Sequence, residues 1–427
     1  MLNIRKLLID VGPLRRSPDL RALVAGQVVS VLGTQMTAVA IPYQVYELTR
    51  SSLDVGLVSL ATLVPVLAGA LLGGAVVDAV DRRRLLAAVS VVMAAVSAGL
   101  AVNASARPAL WPLFVCPALS GGLGTFEDSA LGAVIPNLVR RSELPTANAM
   151  FQAIFQLGLV VGPALAGLLL AGIGVRFVYW ADAATFAAAT AAALAIRPQP
   201  PADGAQPPGL RSLLEGFSFI RGRQAIQGAF LIDLGATVLG LPKALFPALA
   251  ATVFGGGAAT LGLLYAAPGA GALAGALTTG WAGRVRYHGR AVTIAVIVWG
   301  VAIVGFGLTS WLPAALALLA VAGWADVISA VFRSTIIQLA VPDALRGRLT
   351  GLQIAVVTGG PRLGDLEAGA VAAAFGNATS VVSGGLACIA SAAALVTLLP
   401  GFRDLTTPSP AGTRVSPTTA PGPRSEP

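Results

Sequence analysis

The stretch Gly73-Gly74-Ala75-Val76-Val77-Asp78-Ala79-Val80-Asp81-Arg82-Arg83-Arg84 decides how this chain must be arranged. It closes one apolar run, 54–78, and opens another, 85–105, each long enough to cross a bilayer as a helix. Between the runs stand three consecutive arginines, which avoid hydrocarbon and so mark one side of the membrane. The two glycines let a neighbouring helix approach the end of the first run.

Outward from this loop the same alternation recurs. Further apolar runs fall at 22–46, 109–138, 145–171, 177–196, 224–252, 259–283, 290–309, 312–340, 349–374 and 380–399, which makes twelve in all. Threading them back and forth places 22 of the 28 Lys and Arg residues on the side of Arg82–Arg84, with both chain ends. Three bases, Arg50, Arg107 and Arg176, fall in loops on the other side, and three, Lys243, Arg333 and Arg362, fall within runs. This asymmetry is the signature of cytoplasmic loops, and removing one helix would scramble it.

Composition agrees. Of 427 residues 56% are hydrophobic and 11% charged, with mean hydropathy +0.80. A soluble domain carries roughly 25% charged residues, so most of this chain must sit in lipid. The formal charge of +9 therefore belongs to the loops rather than to a nucleic-acid surface, and no basic stripe with interleaved aromatics is present. Cys116 and Cys388 lie in apolar runs and are expected to pack as small residues without a disulfide. Residues 1–21 carry five bases and no short apolar core, so the first run is expected to remain as helix one.

The organisation read from this pattern is a basic segment at 1–21, a six-helix half at 22–196, a linker at 197–222, a second half at 223–400 and a disordered tail at 401–427. Five prolines between Pro198 and Pro208 stop helix formation in the linker, and 210–220 has the spacing of a helix lying on the membrane surface. The halves echo each other: Gly162-Pro163 in helix five corresponds to Gly360-Pro361 in helix eleven, each after a basic loop.

The loop after helix two resembles the signature of the major facilitator superfamily, Gly-x-x-x-Asp-Arg-x-Gly-x-Arg-Arg. Gly74 and Asp78 match in register, with Arg82 and Arg83 in the basic cluster, while Ala79 and Asp81 depart from the pattern. Gly158, Gly162, Pro163 and Gly167 in helix five resemble the motif of drug antiporters, Gly-x-x-x-Gly-Pro-x-x-Gly-Gly, with Ala166 in place of one glycine. Longer stretches, 210–217, 245–249, 262–267 and 345–352, are similar to the branch that holds enterobactin exporters and macrolide efflux transporters. The resemblance implies an all-α membrane protein with the major facilitator fold. It implies export of a siderophore or lipophilic drug across the cytoplasmic membrane, and a cavity lined by helices one, four, seven and ten with eleven beside it. On physical grounds Asp78 is expected to accept from a helix N-terminus or an arginine, with the arginines held by anionic headgroups.

Charges inside the runs are costly, about 2.5–3.5 kcal/mol each on insertion scales, so they are functional candidates. They are Glu127 and Asp128 in helix four, Asp233 and Lys243 in seven, Asp326 and Arg333 in ten, and Arg362, Asp365 and Glu367 in eleven. Spacing suggests pairs between Asp326 and Arg333, seven apart, and between Arg362 and Asp365, three apart. Six carboxylates against three bases leaves an excess that must be protonated, hydrated or matched by substrate, as proton coupling would need. Lys243 would suit an anionic ligand, or would snorkel as a structural residue. Glu127 and Asp128 point about 100° apart, so at most one faces a cavity squarely. Gln27 and Gln35 would add hydrogen bonds there. Asp182 reads as interfacial and His288 as solvated in a loop.

No phosphate-binding loop, zinc cluster or nucleophile elbow is present. The chain is therefore expected to be no enzyme, to need no cofactor or metal, and to work as a monomer on a small molecule and protons. An importer on the same fold and a non-transporting receptor are the rival readings.

Overall fold

The computed structural model describes residues 12–200, 220–240, 242–341 and 343–405, the side chains of 343–352 and 354 excepted. Twelve long helices carry it. They are α1 (Pro18–Thr49), α2 (Ser52–Ala79), α3 (Arg82–Ser105), α4 (Pro112–Leu138), α5 (Leu144–Gly172) and α6 (Val175–Ala195). The second set is α7 (Gln224–Thr252), α8 (Gly257–Thr278), α9 (His288–Leu308), α10 (Leu312–Ala340), α11 (Asp343–Phe375) and α12 (Asn377–Leu398). Each corresponds to one expected run. Among the described residues ten are long and apolar enough to cross a membrane. The other two, α4 and α11, have 27 and 33 residues and so the length to span, but they hold Glu127, Asp128, Arg362, Asp365 and Glu367.

Two helices are broken where proline dictates. In α2, Pro65 cannot donate to the carbonyl of Ala61, and the helix parts at Thr62 into Ser52–Ala61 and Leu63–Ala79. In α7 the first part, Gln224–Leu239, ends at Gly240, and a single 3-10 turn, Lys243–Leu245, leads into Phe246–Thr252.

Within the first six helices α6 packs against α1 and α3, and α2 against α4; in the last six α9 packs against α10 and α12, and α8 against α10. The two sets meet mainly where α5 lies on α8 and the Ser52–Ala61 part of α2 lies on α11. Both seams rest on small residues. A methyl group on Gly167 of α5 would stand 2.9 Å from the Gly262 Cα of α8, and one on Gly369 of α11 would stand 2.7 Å from the Ser52 carbonyl oxygen of α2. These seams lie towards the end away from Arg82–Arg84, called here the far end. The end holding those arginines is the basic end.

One expectation is corrected. The beginning of the expected tail is ordered: Pro400–Arg403 forms a short helix, and Phe402 is fully buried against Gly228 of α7 and Gly289 of α9. The start of the expected linker is tied to the first six helices, since Arg197 bonds Asp19 at 2.8 Å and the Gln199 carbonyl accepts from the Arg82 N–H at 3.0 Å. The expected surface helix at 210–220 and the rest of the tail, 406–427, lie outside the described residues.

Candidate transport pathway

The break in α7 organises the charged centre of the second half. Gly240 would bond its carbonyl to the Ala244 N–H in an unbroken helix. Instead the Ala244 N–H donates to Asp365 Oδ1 of α11 at 3.1 Å, and the Gly240 carbonyl accepts from Trp299 Nε1 of α9 at 2.7 Å. Pro247 has no N–H for the Lys243 carbonyl, which accepts from the Tyr265 hydroxyl of α8 at 3.1 Å. Every freed group named here has a partner, so the break is a built feature. Discontinuous helices of this kind place backbone dipoles at midplane sites in transporters.

Around this break the acids and bases choose partners on other helices. Arg333 of α10 forms its close ion pair with Asp233 of α7, and both side chains are about nine-tenths buried. Asp326 stands 4.0 Å from Arg333 and its side chain is 45% exposed, so the pair expected from spacing is the weaker contact. Arg362 does not pair with Asp365 either. Its Nε donates to the Thr62 hydroxyl at the break of α2, at 2.6 Å, and its Nη1 to the Thr358 carbonyl. Asp365 accepts instead from the Ser59 hydroxyl of α2 at 2.6 Å. Lys243 sits within electrostatic reach of both Asp326 and Asp365, in ion-pair contact with neither. Glu367, about 200° around the helix from Asp365, has no hydrogen bond or ion pair among the described residues.

The first half holds a cavity of about 460 Å³. Its walls are Gln27 and Val31 of α1, Asp128, Leu131, Gly132 and Ile135 of α4, and Asn148, Phe151, Gln152 and Phe155 of α5. All these positions lie in the basic-end halves of their helices. Asp128 faces this space, whereas Glu127 turns to a separate hollow of about 20 Å³ with Ser90 and Gln27, no larger than about one water. Gln35 does not line the cavity; its Cβ packs against Gly162.

Asp182 is a carboxylate whose importance the sequence hid. It is 2% exposed and ties three helices, accepting from Thr37 of α1 at 2.8 Å and Ser97 of α3 at 2.7 Å while sitting on α6. Its surroundings are protein side chains rather than solvent or headgroups. Nor is His288 solvated: it opens α9 at 4% exposure, with its ring 5.5 Å from that of Phe332.

The signature loop braces the basic end from within. Asp78 approaches Arg82 at 3.9 Å, and it is Asp81 that caps α3 by accepting from the Arg84 N–H at 3.1 Å. Arg82 is 8% exposed and Arg83 donates to the Leu194 carbonyl at the end of α6, so neither is free for headgroups. Gly74 precedes this loop in α2. In α5, Gly158 packs on Val31 and Gly162 on Gln35 of α1, Gly167 packs on α8, and the carbonyl of Pro163 stands beside Gly262.

This arrangement has two sets of six helices, glycine seams between them and a polar cavity at one end. Residues 10–410 match the family described as transmembrane secretion effector. The chain belongs to that family of major facilitators. Among curated members it is 29% identical to the enterobactin exporter of Citrobacter koseri over 411 residues, covering 96% of this chain and 98% of that one. It is 28% identical to the enterobactin exporter of Escherichia coli over 403 residues, covering 94% and 97%. The fold of this secretion-effector chain matches the crystal structure of the nucleoside transporter NupG with a TM-score of 0.71 at 14% identity, over 90% of this chain and 98% of that one.

Proposed function

We propose that the protein is a secondary active exporter in the cytoplasmic membrane that carries an amphipathic small molecule, of siderophore or drug type, outward in exchange for protons. Its basic end and both termini face the cytosol. One observation carries this reading: the two sets of helices are seamed towards the far end, while the 460 Å³ cavity lies in the basic-end half. A cavity at the basic end with the far end seamed is the arrangement an exporter needs to load from the cytosol. Similarity to enterobactin exporters over nearly the full length supports the direction.

Substrate enters from the cytosol between α1, α4 and α5. The seams at Gly167–Gly262 and Ser59–Asp365 then part as the halves rock, and the basic end closes. Protons returning inward neutralise carboxylates, with Asp365, which parting of the seam would free, and the already exposed Asp326 and Asp128 as candidates. A membrane potential supplies about 2.3 kcal/mol per charge per 100 mV, so one or two protons sustain a useful gradient.

Accumulation of labelled siderophores and drugs in inside-out vesicles tests the reading. Uptake that rises with an imposed inside-acid gradient and collapses with an uncoupler is the expected result. Uptake that needs the opposite gradient would make the protein an importer.

A further inference from the structure

The polarity of the cavity selects among these cargoes. Lys243, Arg333 and Arg362 invite an anionic ligand when read as residues in a row, but the structure has already used two of these bases. Arg333 is buried against Asp233, and Arg362, which keeps its charge, has Nε and Nη1 engaged by Thr62 and Thr358; neither lines the cavity. Lys243 lies within electrostatic reach of two carboxylates, Asp326 and Asp365.

The acids are the groups left exposed. Asp128 is exposed into the cavity, and no lysine or arginine lines that space among the described residues. Asp326 keeps a half-exposed carboxylate, 4.0 Å from the Arg333 guanidinium that already pairs with Asp233. An anion entering the cavity would meet the Asp128 carboxylate with no base lining the space, where low-dielectric walls focus the field, whereas a cation would be drawn in.

The other lining groups describe the remainder of the ligand. Phe151 and Phe155 are four apart on α5 and present two rings on one wall, which suits an apolar body and the face-on approach of a cation. Gln27, Asn148 and Gln152 supply amides that both donate and accept.

We infer that the cavity between α1, α4 and α5 is a binding site for an amphipathic organic cation, with the cationic centre on Asp128 and the apolar or aromatic body on Phe151 and Phe155. This rests on reading the cavity as the transport site, and it narrows the cargo class.

The test compares two ions of the same shape and opposite charge, tetraphenylphosphonium and tetraphenylborate. Binding to the purified full-length protein in nanodiscs is measured against empty discs, for wild type, Asp128→Asn, Asp128→Glu and Phe151→Ala. The inference expects the phosphonium to bind, Asp128→Asn to weaken it about tenfold or more, and Asp128→Glu to retain it. Phe151→Ala should weaken the phosphonium as well, and borate binding should be no weaker in Asp128→Asn than in wild type. Tighter borate than phosphonium binding, phosphonium binding indifferent to Asp128→Asn, or binding of neither ion would each overturn it. Selective binding without gradient-driven movement would leave this site standing and sink the exporter reading instead.

Discussion

The carboxylate of Asp365 on α11 accepts a hydrogen bond from the hydroxyl of Ser59 on α2 at 2.6 Å, joining the last six helices to the first six. The same carboxylate takes the Ala244 N–H at the break of α7. One acid thus reads both the seam between the halves and the irregular backbone of the charged centre.

Removing the hydroxyl should loosen the seam. A hydrogen bond to a charged group is worth about 1.5–3 kcal/mol, so Ser59→Ala should raise the population open at the far end by about tenfold or more. Labelling of a cysteine placed at Ser52 by an impermeant reagent from outside should quicken accordingly. Labelling as slow as in the parent would show that the bond does not hold the halves.

The glycine seam predicts a steric effect. Gly262→Ala would put a methyl 2.6 Å from the Pro163 carbonyl oxygen and 2.7 Å from the Gly167 Cα. Overpacking of this kind costs about 1–3 kcal/mol, so thermal unfolding should move down and far-end labelling should rise. Gly167→Ala meets the same backbone, and the double variant should cost less than the sum of the two singles.

The buried pair separates two acids that look alike in sequence. Asp233→Asn strips Arg333 of its close partner and leaves Asp326 at 4.0 Å, so it should destabilise by about 3–5 kcal/mol. Asp326→Asn should cost much less, since its side chain is half-exposed. Replacing both Asp233 and Arg333 by neutral residues should recover part of the loss. Equal melting temperatures for Asp233→Asn and Asp326→Asn would contradict this assignment.

At the basic end, Asp404 should make the docking of the Pro400–Arg403 turn pH-dependent. Hydrogen bonds from Arg403, then from Arg290, hold its carboxyl down at about 2. A lowered carboxylate contributes fully above its unfolded value near 4, and its contribution fades as pH falls towards 2. Hydrogen exchange at 400–405 should be flat from pH 8 to 5 once corrected for intrinsic rates, and protection should fall below pH 4. Asp404→Asn should abolish that acid-limb change.

The spans were legible because hydropathy and positive charge each report depth, and the two agree. The runs at 224–252 and 312–340 coincide with α7 and α10 to the residue. The glycines of helix five were legible too, because close packing needs small residues at turn spacing. Charge partners were not. Spacing can only test pairs on one helix, and Arg333 and Arg362 reach across to α7 and α2. Ser59 and Thr62 gave no signal, since hydroxyls are common in apolar helices and carry no charge. Asp182 looked interfacial because hydropathy measures depth and not neighbours; Thr37 and Ser97 come from helices far away in sequence. His288 follows a basic stretch and so read as loop, although Phe332 covers it.

Exchange of substrate for protons across the two halves should be visible as coupled movement of both. Inside-out vesicles holding the protein and a pH-sensitive dye are energised, and siderophores and lipophilic cations are added in turn. A substrate-triggered proton leak in wild type, lost in Asp365→Asn or in one of Asp326→Asn and Asp128→Asn, is the predicted result. Substrate accumulation with no proton movement under any ligand would contradict it and make the protein a uniporter or a carrier coupled to another ion.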